Sequence, residues 1–352
     1  MVRVPVTVNE VDAAWVADAT GWSVDRVDVD PIGAGEGFMG RLARLRLTSP
    51  DPIVPSSVVL KLATDDPGGQ VMGQMMRVWE REYRFYDEVA PHLTIRVPRA
   101  YVNELEPPCL VLEDLSPATP GDHVAGATTA QAYAAVEALA RHHAHWFEHP
   151  MLDTLTWMPS LQDPMIGMFA TTFEMGWPAF CDRYASELPV RCLTWCERFV
   201  ADLDRWIETH YDDPVTLVHG DFRLDNIFFD ADGSVSVIDW QMAMRVPGQS
   251  DFVYFCANNL TVDDRRAHED GLLRSYVDTL HAHGVAPDAV TVDGVRRGYL
   301  EGLVFFASGF GGGLLSIDPA NERGAALFDA LVRRTFAAME DLNAGEVIGV
   351  GS

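Results

Sequence analysis

The chain of 352 residues contains a single lysine. Of its 26 basic side chains every other one is arginine, so Lys61, inside Val58-Val-Leu-Lys-Leu62, stands alone. A coding bias that favours arginine produces this pattern wherever either residue serves. The survivor is then an accident of that bias, or a place where a compact ammonium on a thin stem is needed and a wide guanidinium does not fit. Positive charge as a whole is scarce: 52 acidic side chains leave a net charge of −26. Such a chain repels phosphate backbones and anionic lipid, which excludes nucleic acid and membrane surfaces as expected partners. The acidity suits a cationic partner, and equally it serves solubility alone.

Cysteine is also sparse. The five (Cys109, Cys181, Cys192, Cys196 and Cys256) are odd in number and scattered, and the C-x3-C pair at 192 and 196 has no second pair. That argues against a zinc site or a disulfide framework. No long apolar run exists: the most apolar stretch, residues 302–317, is 16 residues long and holds five glycines, too short and too flexible to span a bilayer. The N-terminus lacks an apolar signal core. A reduced, cytoplasmic location is expected. Internal repeats and low-complexity segments are absent as well.

What remains is a chain with 48% hydrophobic and 22% charged residues, ordinary for a globular protein of two domains. Thr7-x-x-Glu10 reads as a capping box before a short helix that Gly21 stops. Strands are expected at 24–32, 41–47, around Lys61, at 95–102 and at 109–112. A helix is expected over 70–90, with an apolar stripe of Met72, Met75, Trp79, Tyr83 and Tyr86. From residue 128 the periodicity turns helical, at 128–149, 190–210, 264–283 and 322–343, with one β interruption at 216–239. The expected organisation is a strand-rich domain over 1–115 and a larger helical domain over 116–352, with the catalytic loop and an acceptor site in the second.

Gly35-Glu-Gly-Phe-Met-Gly40 fits G-x-G-x-x-G. A strand follows it rather than a helix, which is the kinase arrangement of a glycine hairpin over nucleotide phosphates and not the dinucleotide-binding one. Lys61 lies on the next strand, where a kinase lysine meets the α- and β-phosphates. Such a lysine needs a carboxylate to hold its stem; Glu82 is the candidate, since it falls on the face of Met75, Trp79 and Tyr86, where an unpaired charge is costly. The most specific signal is Leu217-Val-His-Gly-Asp-Phe-Arg-Leu-Asp-Asn-Ile-Phe-Phe229, followed by Val235-Ser-Val-Ile-Asp-Trp240. Asp221 and Asn226 have the spacing of a kinase catalytic loop, the Asp orienting the attacking hydroxyl. A hairpin around 230–233 is expected to return Asp239 to a metal site with Asn226, and both offer hard oxygen donors suited to Mg2+.

These motifs, in this order, resemble the aminoglycoside phosphotransferase/choline kinase-like superfamily, whose catalytic loop reads H-G-D-x-x-x-x-N. Glu82-Tyr-Arg-Phe-Tyr86, Val111-Leu-Glu-Asp-Leu115 and Ile238-Asp-Trp-Gln241 look most like its ecdysteroid-kinase-like branch. The resemblance spans about residues 30–260. It implies an α+β, bilobal protein-kinase-like fold, with a small antiparallel sheet and one main helix, then a mainly helical second lobe. It further implies ATP as co-substrate with Mg2+ and a hinge at Glu113 to Leu115 whose backbone holds adenine. Arg223 is expected near the transferring phosphoryl group, and Asp251 as a brace of the catalytic loop.

Only eleven residues separate Asp239 from Asp251 and no A-P-E motif follows, so a peptide substrate has no activation segment to lie on. The expected acceptor is a hydroxyl on a small molecule. Two acceptor classes stay open, a polycationic aminoglycoside and a more apolar alcohol, for which Trp157 and Trp177 are candidate pocket walls. A nucleotide-binding pseudokinase is the alternative outside catalysis. His142, His145 and His149 share a helix face and are read as packing, and His219 as support for the loop backbone. The tryptophans Trp146, Trp157, Trp177, Trp195 and Trp206 are read as mostly core, the wall role of Trp157 and Trp177 being the lesser alternative, and Phe305–Gly313 as a helix end beneath the same pocket or a loose turn.

Overall fold

The computed structural model describes residues 4–32, 40–210, 213–315, 317 and 321–347. The chain forms two compact units: Met1–Thr119 with Val237–Met242, and Pro120–Ser236 with Ala243–Ser352. The first unit therefore reclaims a six-residue piece of chain from beyond residue 119, a return that no composition shift announces.

In the first unit, helix α1 (Ala13–Thr20) precedes an antiparallel sheet of five strands: β1 (Arg26–Ile32), β2 (Gly40–Thr48), β3 (Ser57–Ala63), β4 (Ala100–Leu105) and β5 (Pro108–Glu113), in the order β1-β2-β3-β5-β4. Alternation does the sorting. Ala43, Leu45 and Leu47 of β2, with Val58, Leu60 and Leu62 of β3, are buried in one cluster with Val11 and Val16. The period of two then puts Lys61 on the opposite face. α1 does not start at the Thr7 box, which only shapes a short turn over Val8–Glu10. Asp12 is its cap, accepting the Trp15 N–H at 2.8 Å, and Gly21 ends it in the left-handed region as expected.

The helix expected over 70–90 is two helices, α2 (Pro67–Met75) and α3 (Val78–Arg84), the second running on into a wider turn over Phe85–Val89. Arg77 breaks them at φ 53°. Met72 and Met75 are consequently exposed and do not belong to the buried stripe, whereas Glu82, Phe85 and Tyr86 do. Trp240, in the piece that returns to this unit, stacks on Phe85 with ring centroids 4.6 Å apart.

The two-residue strand β6 (Thr119–Pro120) leads into the second unit, where α4 (Thr129–Trp146) opens on a complete capping box between Thr128 and Gln131. Next come α5 (Pro164–Tyr184), α6 (Val190–Ala201) and α7 (Leu203–Thr209). The β interruption supplies β7 (Thr216–Val218), β8 (Ile227–Phe229) and β9 (Val235–Val237); β10 (Met244–Val246) pairs antiparallel with β7. The chain ends with α8 (Gln249–Asn258), α9 (Val262–Ala282), α10 (Val292–Leu314) and α11 (Glu322–Asp341). The apolar, glycine-rich run at 302–317 is mostly the end of α10. Its glycines let α5 and α10 touch backbone to backbone: a Cβ on Gly176 would lie 1.9 Å from the Gly311 carbonyl oxygen. Among the described residues, no helix is long and apolar enough to cross a membrane.

Candidate active site

The opposite-face placement of Lys61 matters because of what α3 brings to it. Its ammonium lies 2.7 Å from a carboxylate oxygen of Glu82 and 2.7 Å from one of Asp239. Glu82 is only 2% exposed, which an unpaired carboxylate would not tolerate. Burial works against the lysine charge, but Asp239 and Glu82 outweigh it and hold the ammonium above its ordinary pKa. For Glu82 burial wins: desolvation raises its carboxyl although Lys61 pulls the other way. Asp239 has φ 65°, a region that Asp tolerates better than most side chains. Its second oxygen accepts from the Gln241 amide at 3.3 Å.

Two other expected nucleotide contacts lie on this unit. Gly40 begins β2, and a Cβ there would press on the Leu62 carbonyl at 3.3 Å and the Lys61 stem at 3.5 Å. Gly35 and Gly37 fall outside the described residues. Glu113 ends β5, its carboxylate accepting from Arg96 and from the Arg99 N–H, and Leu115 follows, buried.

In the second unit, β7 delivers the chain into the catalytic loop. Gly220, at φ 78°, makes the turn that a side chain would resist. Asp251, at the start of α8, accepts the N–H of His219 at 2.6 Å and of Gly220 at 2.8 Å, so it braces the loop backbone. The His219 ring accepts the Asp221 N–H at 3.2 Å, the kind of contact expected of a residue that supports the loop backbone. Around the Asp221 carboxylate one oxygen accepts from Arg223 at 3.0 Å and from the Asn226 amide at 3.1 Å, while the other accepts from the Tyr254 hydroxyl at 3.0 Å. A carboxylate oxygen has two lone-pair sites, so the oxygen bonded to Tyr254 keeps one open among the described residues. Arg223 also reaches Asp225 at 3.3 Å.

Asn226 spends its amide N–H groups on Asp221, which leaves its carbonyl oxygen free of hydrogen bonds among the described residues. An amide carbonyl of this kind is a hard oxygen donor, the type Mg2+ takes, and in the first unit the Asp239 carboxylate is another. Among the described residues no cluster of three His, Cys, Asp or Glu side chains forms a metal cage. Of the three histidines read as packing, His142 is buried and bonds the Leu217 carbonyl, whereas His145 is exposed and stacks on His149, which lies beyond the end of α4.

An apolar cavity of about 140 Å³ opens beside this loop, reaching Gly220 and walled by Trp206, Phe305 and Phe306 among others. Tyr254 connects it to the Asp221 carboxylate, since its ring packs on Phe306 while its hydroxyl donates to Asp221. Trp157 and Trp177 are not among its walls. Both are buried, Trp177 stacked between Phe173 and Phe180 with its N–H on Glu197. Trp206 is the tryptophan that lines the cavity. Tyr254 escapes sequence reasoning, although it lies one helical turn beyond Asp251 and so shares its face.

The profile of the ecdysteroid kinase-like family matches residues 34–285. Comparison with curated proteins gives no match. Among solved structures, the macrolide 2′-phosphotransferase MphH of Brachybacterium faecium is similar at 17% identity, covering 90% of this chain and 95% of its own, with a TM-score of 0.54. Choline kinase of Cryptosporidium parvum shares 10% identity over 94% of this chain and 93% of its own, with a TM-score of 0.57. A spectinomycin phosphotransferase, APH(9)-Ia, solved with ADP and spectinomycin, shares 13% identity over 96% of each chain, with a TM-score of 0.52. The fold is thus the protein-kinase-like one.

Proposed function

The chain belongs to the ecdysteroid kinase-like family, and on that footing we propose that it transfers the γ-phosphoryl group of ATP to a hydroxyl of a small molecule. The observation that carries this reading is the Asp221 carboxylate. Three side chains hold it in place and one lone-pair site remains beside a cavity of acceptor type. A nucleotide-binding scaffold needs no such group.

In this mechanism Asp221 accepts the hydroxyl hydrogen bond and then its proton, while Tyr254 and Asn226 fix the carboxylate rotamer. Arg223, already aligned on Asp221, carries the charge that meets the phosphoryl oxygens. Lys61 binds the α- and β-phosphates, its stem held by Glu82; Gly35, Gly37 and Gly40 cover the phosphates, and the backbone at Glu113 to Leu115 holds the base. Asn226 and Asp239 would hold Mg2+, which supplies charge neutralisation on the phosphates when bound. Little covalent chemistry falls to the protein, and placement provides most of the acceleration. We place the reaction in the cytoplasm, a setting that five unpaired cysteines suit.

The test is ADP release from Mg-ATP across a panel of hydroxylated compounds. Asp221→Ala is expected to lose at least a hundredfold in turnover, the lower range for removing a general base, and to keep nucleotide binding by calorimetry. Asp239→Ala should lose Mg-dependent nucleotide binding as well. Undiminished turnover in the Asp221 variant would sink the assignment.

A further inference from the structure

The cavity beside the catalytic loop is too small to serve alone. At about 140 Å³ it falls below the roughly 300–1,000 Å³ of ordinary ligand sites. A second cavity of about 410 Å³ adjoins it in the same unit, and His210, Pro247, Gln249, Gly298 and Glu301 line both. The common wall is polar, whereas the inner cavity is otherwise mostly apolar.

The charges at that wall cancel. The His210 ring accepts no role as a lone base: one nitrogen lies 2.8 Å from the Trp206 carbonyl oxygen and the other 2.8 Å from the Glu301 carboxylate. The hydrogen bond to Glu301 raises the ring's pKa above the ordinary histidine value and so favours the imidazolium. Glu301, 4% exposed, also accepts from Arg297 at 2.9 Å. The other carboxylate at the inner cavity, Asp251, is committed to the N–H groups of His219 and Gly220. At the inner cavity no uncommitted negative charge therefore waits for an amine, despite the acidity of the chain; the outer cavity adds Asp213, 3.9 Å from His210, and the exposed Asp288.

Hydrogen-bonding capacity does remain. The Gln249 side-chain amide makes no hydrogen bond among the described residues, although it is closely packed on Gly298. The Glu301 carboxylate uses two of about four lone-pair sites. The Trp206 indole N–H is buried with no acceptor among the described residues. Such a set suits a neutral oxygen function, a hydroxyl above all, which can donate to Glu301 and accept from Gln249.

We infer that the acceptor site has two chambers, and that the Gln249–Glu301–His210 wall reads a second oxygen on a neutral, largely apolar alcohol whose reacting hydroxyl lies at Asp221. This rests on the kinase reading only for the role of Asp221; the binding part stands without it. A second oxygen function is what separates this acceptor from a simple apolar alcohol, since the wall groups would otherwise be covered by hydrocarbon and left unpaired.

Two probes test it by calorimetry without nucleotide: the rigid bicyclohexyl diol with a hydroxyl at each end, and the mono-alcohol of the same skeleton. The diol is expected to bind at least tenfold more tightly. Gln249→Leu removes an amide that holds nothing else. The double change His210→Leu with Glu301→Leu takes the ion pair out together, so that no single charge is left buried. Each should bring the diol to within about threefold of the mono-alcohol, the size of one lost hydrogen bond. Equal binding of the probes by the unmodified protein, or a diol advantage that survives in both variants, overturns the inference. Addition of Mg-ATP then separates the two readings. Diol preference without any ADP release refutes the kinase reading and leaves the two-chamber site standing. Phosphorylation of an aminoglycoside, with neither alcohol bound, does the reverse.

Discussion

Lys61 illustrates what one side chain decides. Its stem passes over Gly40 and its ammonium serves two carboxylates at the same 2.7 Å distance. A planar guanidinium cannot be a point charge between them. Lys61→Arg is therefore expected to fold but to weaken ATP binding at least tenfold, measured by calorimetry. A second prediction at this scale concerns His123, buried on the Asn258 carbonyl. Burial first, then Arg223 and Arg334, pushes its pKa down to about 3. The unfolded chain takes up this proton below the ordinary value near 6.5, and the folded chain does not until pH 3. Stability is thus lost as pH falls through that window, by about 1.4 kcal/mol per pH unit for one proton. His123→Gln should flatten the decline of the urea midpoint between pH 6 and pH 4; an unchanged slope would assign the acid sensitivity elsewhere, with the buried, similarly depressed His142 the next group to examine.

At the scale of elements, the α5–α10 crossing explains why a glycine-rich run sits inside a helix. Glycine costs roughly 1 kcal/mol there relative to alanine, and here close approach offsets it. Gly176→Ala would drive a methyl into the Gly311 carbonyl. Such overpacking against backbone is expected to lower stability by about 1–3 kcal/mol, seen as a fall in Tm. Phe305 and Phe306 ride on α10, so the same change should also raise the acceptor KM while that for ATP stays put. A fall in Tm with both KM values unaltered would separate the crossing from the cavity.

The whole molecule carries −26. Repulsion among so many surface carboxylates opposes the compact state and is screened within about 10 Å at 0.1 M salt. The Tm is therefore expected to rise between 10 mM and 200 mM NaCl. Acceptor KM should stay nearly flat over that range, because the charged groups lining the inner cavity are committed to protein partners, His210 to Glu301 and Asp251 to the N–H groups of His219 and Gly220. A KM that climbs steeply with salt would indicate a polycationic acceptor.

Local pattern alone located the candidate site residues. The H-G-D loop, Asn226, Asp239 and the Lys61–Glu82 pair are legible because each depends on spacing along one loop, or on which face of a strand or helix a residue occupies. The strands around Lys61 follow from period-two alternation for the same reason. Other features depend on residues far apart in sequence, and there the pattern misleads. The stripe over 70–90 reads as one helix since nothing marks Arg77 as a break. Thr7 has the better capping motif, yet Asp12 caps α1, because the helix starts where its buried face begins. Trp157 and Trp177 are core, as their main reading has it and not the alternative of pocket walls, while Trp206, read as core, lines the cavity with Phe305 and Phe306 once α7 and α10 pack. The pairing of His210 with Glu301 spans 91 residues, and no periodicity encodes it. Sequence determines what each element is and which chemistry it carries; only packing decides which side chains meet across the core, because burial is settled by all elements at once.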